Sequence, residues 1–131
     1  MHSDPGRSAP VRVVLVDPDD RVRESLCGLL CIGDRIVVVG SAGETETALK
    51  VIRETSPDVV VLDPRLPDVD GGRSFIAQVR ATAARIGVVV LTGGGPDDQH
   101  DLAAVADGFV RKTFRPSDLV AAVVGAVPVA G

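Results

Sequence analysis

The stretch V-V-V-L-D-P-R-L-P-D-V-D-G-G, residues 59 to 72, decides the fold. Four consecutive apolar residues, Val59 to Leu62, read as a strand buried on both faces. The run stops at Asp63. A carboxylate there stands at the carboxyl end of its strand, the edge where open α/β sheets bind ligands and do chemistry. Pro64 and Pro67 stiffen the exit, and Asp70-Gly71 reads as a turn before a helix. Asp63 is therefore the leading candidate for the working residue.

Further strands are expected on either side of this one. Val11 to Val16 is an apolar run that ends in Asp17, Pro18, Asp19 and Asp20. A helix is predicted from about Asp20 to Cys31, with Val22, Leu26, Leu29 and Leu30 at helical spacing and Asp19 or Asp20 as its cap. Ile36 to Val39 reads as a strand closed by Gly40, and Glu44 to Thr55 as a helix with Ala48, Leu49 and Ile52 inward. After the central strand, Gly72 to Ala84 reads as a helix with Phe75, Ile76 and Val79 on one face. Ile86 to Leu91 is a strand ending in Thr92, and Gly93 to Pro96 a loop. A weak helical pattern spans about Asp97 to Ala106. Gly108 to Arg111 is a last strand, followed by Lys112. Pro116 suits the first turn of a final helix carrying Leu119, Val120, Val123 and Val124. Five strands alternating with five helices call for an α/β fold, a parallel sheet with helices on both faces.

Composition narrows the class. With 131 residues and no Trp or Tyr, the chain is expected to be one domain with an aliphatic core. Residues 1–10 read as a disordered leader, 11–127 as the domain, and 128–131 as a tail or the start of a linker. The net charge of -4 offers no basic footprint for nucleic acid. The apolar runs are too short to span a bilayer, and no signal peptide is visible, so a cytoplasmic location is expected. Cys27 and Cys31 form no Cys-x-x-Cys motif and read as small packing residues. Gly93 to Gly95 lacks the ending of a phosphate loop, and His2 and His100 have no metal-ligating partners at useful spacing.

In a parallel sheet the strand ends share one edge, so Asp17, Asp63, Thr92 and Lys112 should converge. That set has a coherent chemistry. A carboxylate can accept a phosphoryl group, and neighbouring acid can help to hold Mg²⁺. Lysine can neutralise a phosphoryl oxygen as a point charge, and a threonine hydroxyl can hydrogen-bond another.

V-V-L-V-D at 13–17, P-D-V-V-V-L-D at 57–63, P-D-V-D-G at 67–71, V-V-L-T at 89–92 and G-F-V-R-K at 108–112 follow one another in an order and spacing that resembles the receiver domains of bacterial two-component response regulators. The resemblance is greatest to receivers that precede a LuxR/NarL-type helix-turn-helix domain. It implies a doubly wound, flavodoxin-like sheet in the order 2-1-3-4-5. It implies Asp63 as the phosphoacceptor served by a sensor histidine kinase, Thr92 and Phe109 as a switch pair, and Lys112 as the phosphate partner. Mg²⁺ would be held by Asp17, Asp63 and the backbone carbonyl of Arg65. A homodimer through the predicted fourth helix, the last strand and the last helix is implied too, with DNA contacted only by an output domain outside this chain. On this reading the chain is no enzyme beyond its own phosphotransfer and dephosphorylation.

The departures from the family pattern matter as much. Pro18 replaces the usual second acid, so Mg²⁺ binding is expected to be weak. Pro64 replaces an aliphatic residue, the segment from Thr92 to Lys112 is about two residues short, and Lys112 precedes Thr113 where the family often has proline. These favour an alternative, a pseudo-receiver that acts as a phosphorylation-independent interaction or ligand-binding module. A flavodoxin-like cofactor carrier fails for want of a phosphate loop and of an aromatic to sandwich a flavin.

Overall fold

A computed structural model describes residues 9–63, 69–82, 85–92, 106–111 and 115–128; of residues 69–72 and Thr92 it describes the backbone alone. The strands are β1 (Val11–Val16), β2 (Ile36–Ala42), β3 (Val59–Leu62), β4 (Gly87–Thr92) and β5 (Gly108–Arg111). The described helices are α1 (Asp20–Leu30), α2 (Thr45–Thr55), α3 (Val69–Thr82) and α4 (Pro116–Gly125). All strand pairs are parallel, in the order β2-β1-β3-β4-β5. The expected doubly wound α/β sheet is what the chain forms. Of the helical pattern at about Asp97 to Ala106, residues 97–105 lie outside the described residues, and Ala106 is not helical.

Strand alternation sorts the core into two layers. Val13 and Leu15 of β1, Val59 and Val61 of β3, and Val89 and Leu91 of β4 face Leu26 and Leu30 of α1 and Leu119 and Val123 of α4. Their neighbours Val14, Val16, Val60, Leu62, Val88 and Val90 face Ala48 and Ile52 of α2 and Phe75, Ile76 and Val79 of α3. All four residues of β3 are buried because helices cover both of its faces. This double burial is why its sequence runs apolar without alternation.

Several element ends differ from expectation. Strand β2 does not close at Gly40 but runs on to Ala42. After a bulge, Val14, Leu15 and Val16 pair with Gly40, Ser41 and Ala42. Gly40 marks a close approach rather than an end: a Cβ there would lie 2.5 Å from Cγ1 of Val51 on α2. Helix α1 ends at Leu30, and Cys31 is its C-cap. Helix α3 begins at Val69, so Asp70-Gly71 lies in its first turn rather than in a turn before it. The first-turn amides have no intrahelical partner in any case, so glycine is tolerated there. Strand β4 takes in Thr92 and starts at Gly87, and α2 starts at Thr45 with Glu44 as N-cap.

Candidate functional site

The site is built by two backbone ladders that each run one residue past their strands. The Asp17 amide donates to the carbonyl of Ala42 (3.1 Å), and the Asp63 amide to that of Val16 (3.0 Å). Val16 pairs with Leu62, so Asp17 and Asp63 occupy the next positions on adjacent strands, about 5 Å apart in the sheet. Among the described residues they are the only buried charged side chains, 2% and 6% exposed. Aspartate is rarely so buried without compensating groups. Two carboxyl groups side by side at a sheet edge are costly to bury unless hydrogen bonds or a cation compensate them.

The turn from β1 into α1 holds Asp17 from below. Asp17 Oδ1 accepts from the Asp19 amide (2.8 Å). The Asp19 carboxylate accepts from the Arg21 amide (2.9 Å) and caps α1. Asp19 is thus the cap, and both it and Pro18 are exposed. Asp20 is also exposed and pairs with Arg23. Of the acidic run at 17–20, only Asp17 is buried with Asp63.

The other expected site residues are placed as follows. Thr92 closes β4 and pairs with Arg111, so its backbone stands at the same carboxyl edge. Lys112 and Arg65 lie outside the described residues. Phe109 pairs with Val90 and is half-buried against the core layer of α2 and α3. Cys31 is exposed, contrary to the expectation that both cysteines pack. Cys27 is half-buried on α1, and burial first, then its neighbour Cys31, push its thiol up. It is therefore a neutral packing group.

The donor set suits Mg²⁺ in part. Two buried carboxylates on adjacent strands are the ligand type and number that this ion takes from a protein when phosphate and water complete its shell. Pro18 offers no third carboxylate, and Asp19 is engaged as a cap. No cluster of three or more acidic, histidine or cysteine ligands exists among the described residues.

Comparison with known proteins settles the family. The model of the response regulator receiver domain matches residues 13–124. The chain belongs to the response regulator receiver domain family. Over 117 residues it is 43% identical to a protein-glutamate methylesterase/protein-glutamine glutaminase of Anaeromyxobacter dehalogenans, covering 88% of this chain and 32% of that protein. It is 33% identical over 115 residues to the response regulator GacA of Pseudomonas viridiflava, covering 86% and 53%. Among solved structures, the signal receiver domain of the response regulator NarL from Mycobacterium tuberculosis superposes with a TM-score of 0.79 at 30% identity, covering 89% of this chain and 95% of that one. The receiver thus spans about a third to a half of the curated relatives it matches. No helix among its described residues is long and apolar enough to cross a membrane.

Arg23 was missed by the sequence reading. Its guanidinium reaches the main-chain oxygen of Asp17, but a helix read only for its apolar stripe gives a charged residue no role.

Proposed function

We propose that this receiver accepts a phosphoryl group on Asp63 from a sensor histidine kinase. The observation that carries the reading is the burial of Asp17 and Asp63 side by side at the ends of β1 and β3. A nucleophilic carboxylate in an acidic pocket at a sheet edge suits an electrophile that arrives with its own negative charge only when cations share the site. Asp17, Asp63 and the Arg65 carbonyl would hold Mg²⁺, which when bound neutralises the acids and the phosphoryl oxygens. Lys112 would supply a second positive charge. An Asp63 carboxylate oxygen attacks phosphorus, the phosphorus–nitrogen bond of the phosphohistidine breaks, and the imidazole leaves with that electron pair and takes up a proton. Thr92 would donate its hydroxyl to the new phosphoryl group. That would bias the loop after β4 and, with Phe109, the face formed by the segment before β5, β5 itself and α4. The output would be homodimerisation or a changed partner contact, serving transcription through an output domain outside this chain, in the cytoplasm. Residues 11–127 would form the receiver, 1–10 a leader, and 128–131 a tail or linker start.

One observation favours the second reading, a pseudo-receiver that works without phosphate. Asp19 caps α1, and Pro18 has no carboxylate, so this part of the pocket has one buried acid. The deciding experiment is incubation of the purified chain with a small acyl-phosphate donor, with and without Mg²⁺, read by intact mass. A gain of one phosphoryl group that requires Mg²⁺ and is abolished by Asp63→Asn supports the phosphoacceptor. No gain in a folded chain supports the pseudo-receiver.

A further inference from the structure

Arg23 stands one turn into α1, where its amide donates to the Asp19 carbonyl (3.1 Å). Its side chain turns back toward the sheet edge. Nη1 donates to the main-chain oxygen of Asp17 (2.5 Å), and Nη2 to the Asp20 carboxylate. The Arg23 side chain is 19% exposed, against 81% for its partner Asp20. The arginine is thus buried well beyond its ion-pair partner, on the side where it meets the Asp17 carbonyl.

The notch that receives it is made by Gly43. A Cβ at Gly43 would stand 2.7 Å from Arg23 Nη1 and 3.6 Å from the Asp17 carbonyl oxygen. No glycine among the described residues has a positive φ. Gly43 is therefore needed for space and not for a left-handed backbone. Between Asp17 and Arg23 runs a turn containing Pro18, which has no amide hydrogen to brace it. The Asp19 amide's hydrogen bond to Asp17 Oδ1 and the Arg23 bridge both tie this turn to Asp17.

We infer that Arg23, seated in the notch left by Gly43, is a positioning residue that fixes the Asp17 carboxylate beside Asp63. The inference rests on the proposed phosphoacceptor pocket. Its bond is to the main chain of Asp17, so it acts through that residue. A planar guanidinium can serve the Asp17 carbonyl and the Asp20 carboxylate at once, which a lysine ammonium on its flexible stem does less well.

Charge and position give opposite outcomes. If Arg23 mattered only as a nearby cation, its removal would tighten Mg²⁺ binding. If it positions Asp17, its removal weakens Mg²⁺ binding, by about tenfold for an outer-shell partner. Arg23→Ala and Gly43→Ala are compared with the native chain by calorimetric Mg²⁺ titration. Gly43→Ala keeps every charge and displaces the guanidinium, which lines a cleft of about 460 Å³ between α1 and β2 and has room to move. Both variants are expected to bind Mg²⁺ more weakly, and Arg23→Lys is expected to follow them.

The second readout needs no metal. Solvent exchange of the Asp19 amide, measured by NMR without Mg²⁺, should quicken in Arg23→Ala and Gly43→Ala, while the amides of β1 keep their protection. Tighter Mg²⁺ binding in Arg23→Ala, full recovery in Arg23→Lys, or unchanged Asp19 exchange would each overturn the inference. A native chain that binds no Mg²⁺ would count against the metal pocket itself, and Asp19 exchange would then decide the role of Arg23.

Discussion

Pro18 concentrates the chemistry of this pocket at a single position. It follows a buried carboxylate and precedes a helix cap, in the turn that leaves the sheet edge. Mg²⁺ sheds its water reluctantly, and each carboxylate contributes to offsetting that cost. Pro18→Asp is expected to tighten Mg²⁺ binding, and to speed labelling of Asp63 by an acyl phosphate. Calorimetry and timed intact-mass measurements check the two effects separately. Unchanged values in both would mean that position 18 does not face the pocket. At this scale the sequence was informative where a residue broke a pattern: Asp17 and Asp63 end apolar runs, and both are buried at the sheet edge. It left open which acid of 17–20 does what, because capping by Asp19 depends on where the first turn of α1 falls. Arg23 was illegible, since its acceptor is a main-chain carbonyl whose direction no residue type announces.

Between elements, two glycines record how closely the helices approach the sheet. At Gly40 the obstacle is a side chain, Cγ1 of Val51. At Gly87 it is backbone, because an added Cβ would fall well inside contact distance of the Ala126 carbonyl, the C-cap of α4. The two sites should therefore respond differently to repair. Gly40→Ala is expected to destabilise the domain by about 1–3 kcal/mol, as overpacking does. Val51→Ala in the same chain should recover much of that loss, giving a non-additive pair. Gly87→Ala is expected to cost at least as much, about 2–3 kcal/mol, with no recovery from Ala126→Gly, which leaves the carbonyl in place. Urea unfolding of the single and double variants measures both cycles. These glycines also explain which boundaries were misjudged. A glycine within a strand looks like punctuation when only local preference is weighed. At Gly40 the need for space beneath α2 outweighed that preference, and β2 ran on to pair with the end of β1.

For the molecule as a whole, topology was legible because apolar runs without alternation must be covered on both faces. The runs of β1, β3 and β4 are of this kind, and with β2 and β5 at the edges and helical patterns between the strands few other arrangements remain. Switching is a different kind of property, since it depends on the free-energy difference between two states of one fold. Moving such an equilibrium from about 1:99 to 99:1 takes roughly 5.5 kcal/mol of differential interaction. Hydrogen bonds to a charged group contribute about 1.5–3 kcal/mol each. On the proposed reading, a phosphoryl group on Asp63 would need about two to four such partners to throw the switch, and Thr92 and Lys112, at the end of β4 and next in sequence after β5, are the two candidates the sequence offers. Loss of either one should leave phosphorylation possible and the conformational response incomplete. Thr92→Ala is accordingly expected to take up phosphate from an acyl-phosphate donor while shifting only partly toward dimer. The native chain should shift nearly fully, and Asp63→Asn should not shift at all. Sedimentation velocity on labelled and unlabelled samples, with labelling read by intact mass, separates the three. Equal dimer in all of them, labelled or not, would transfer the function to a standing interface and favour the phosphate-independent module, because a contact present before the phosphoryl group arrives cannot be driven by it.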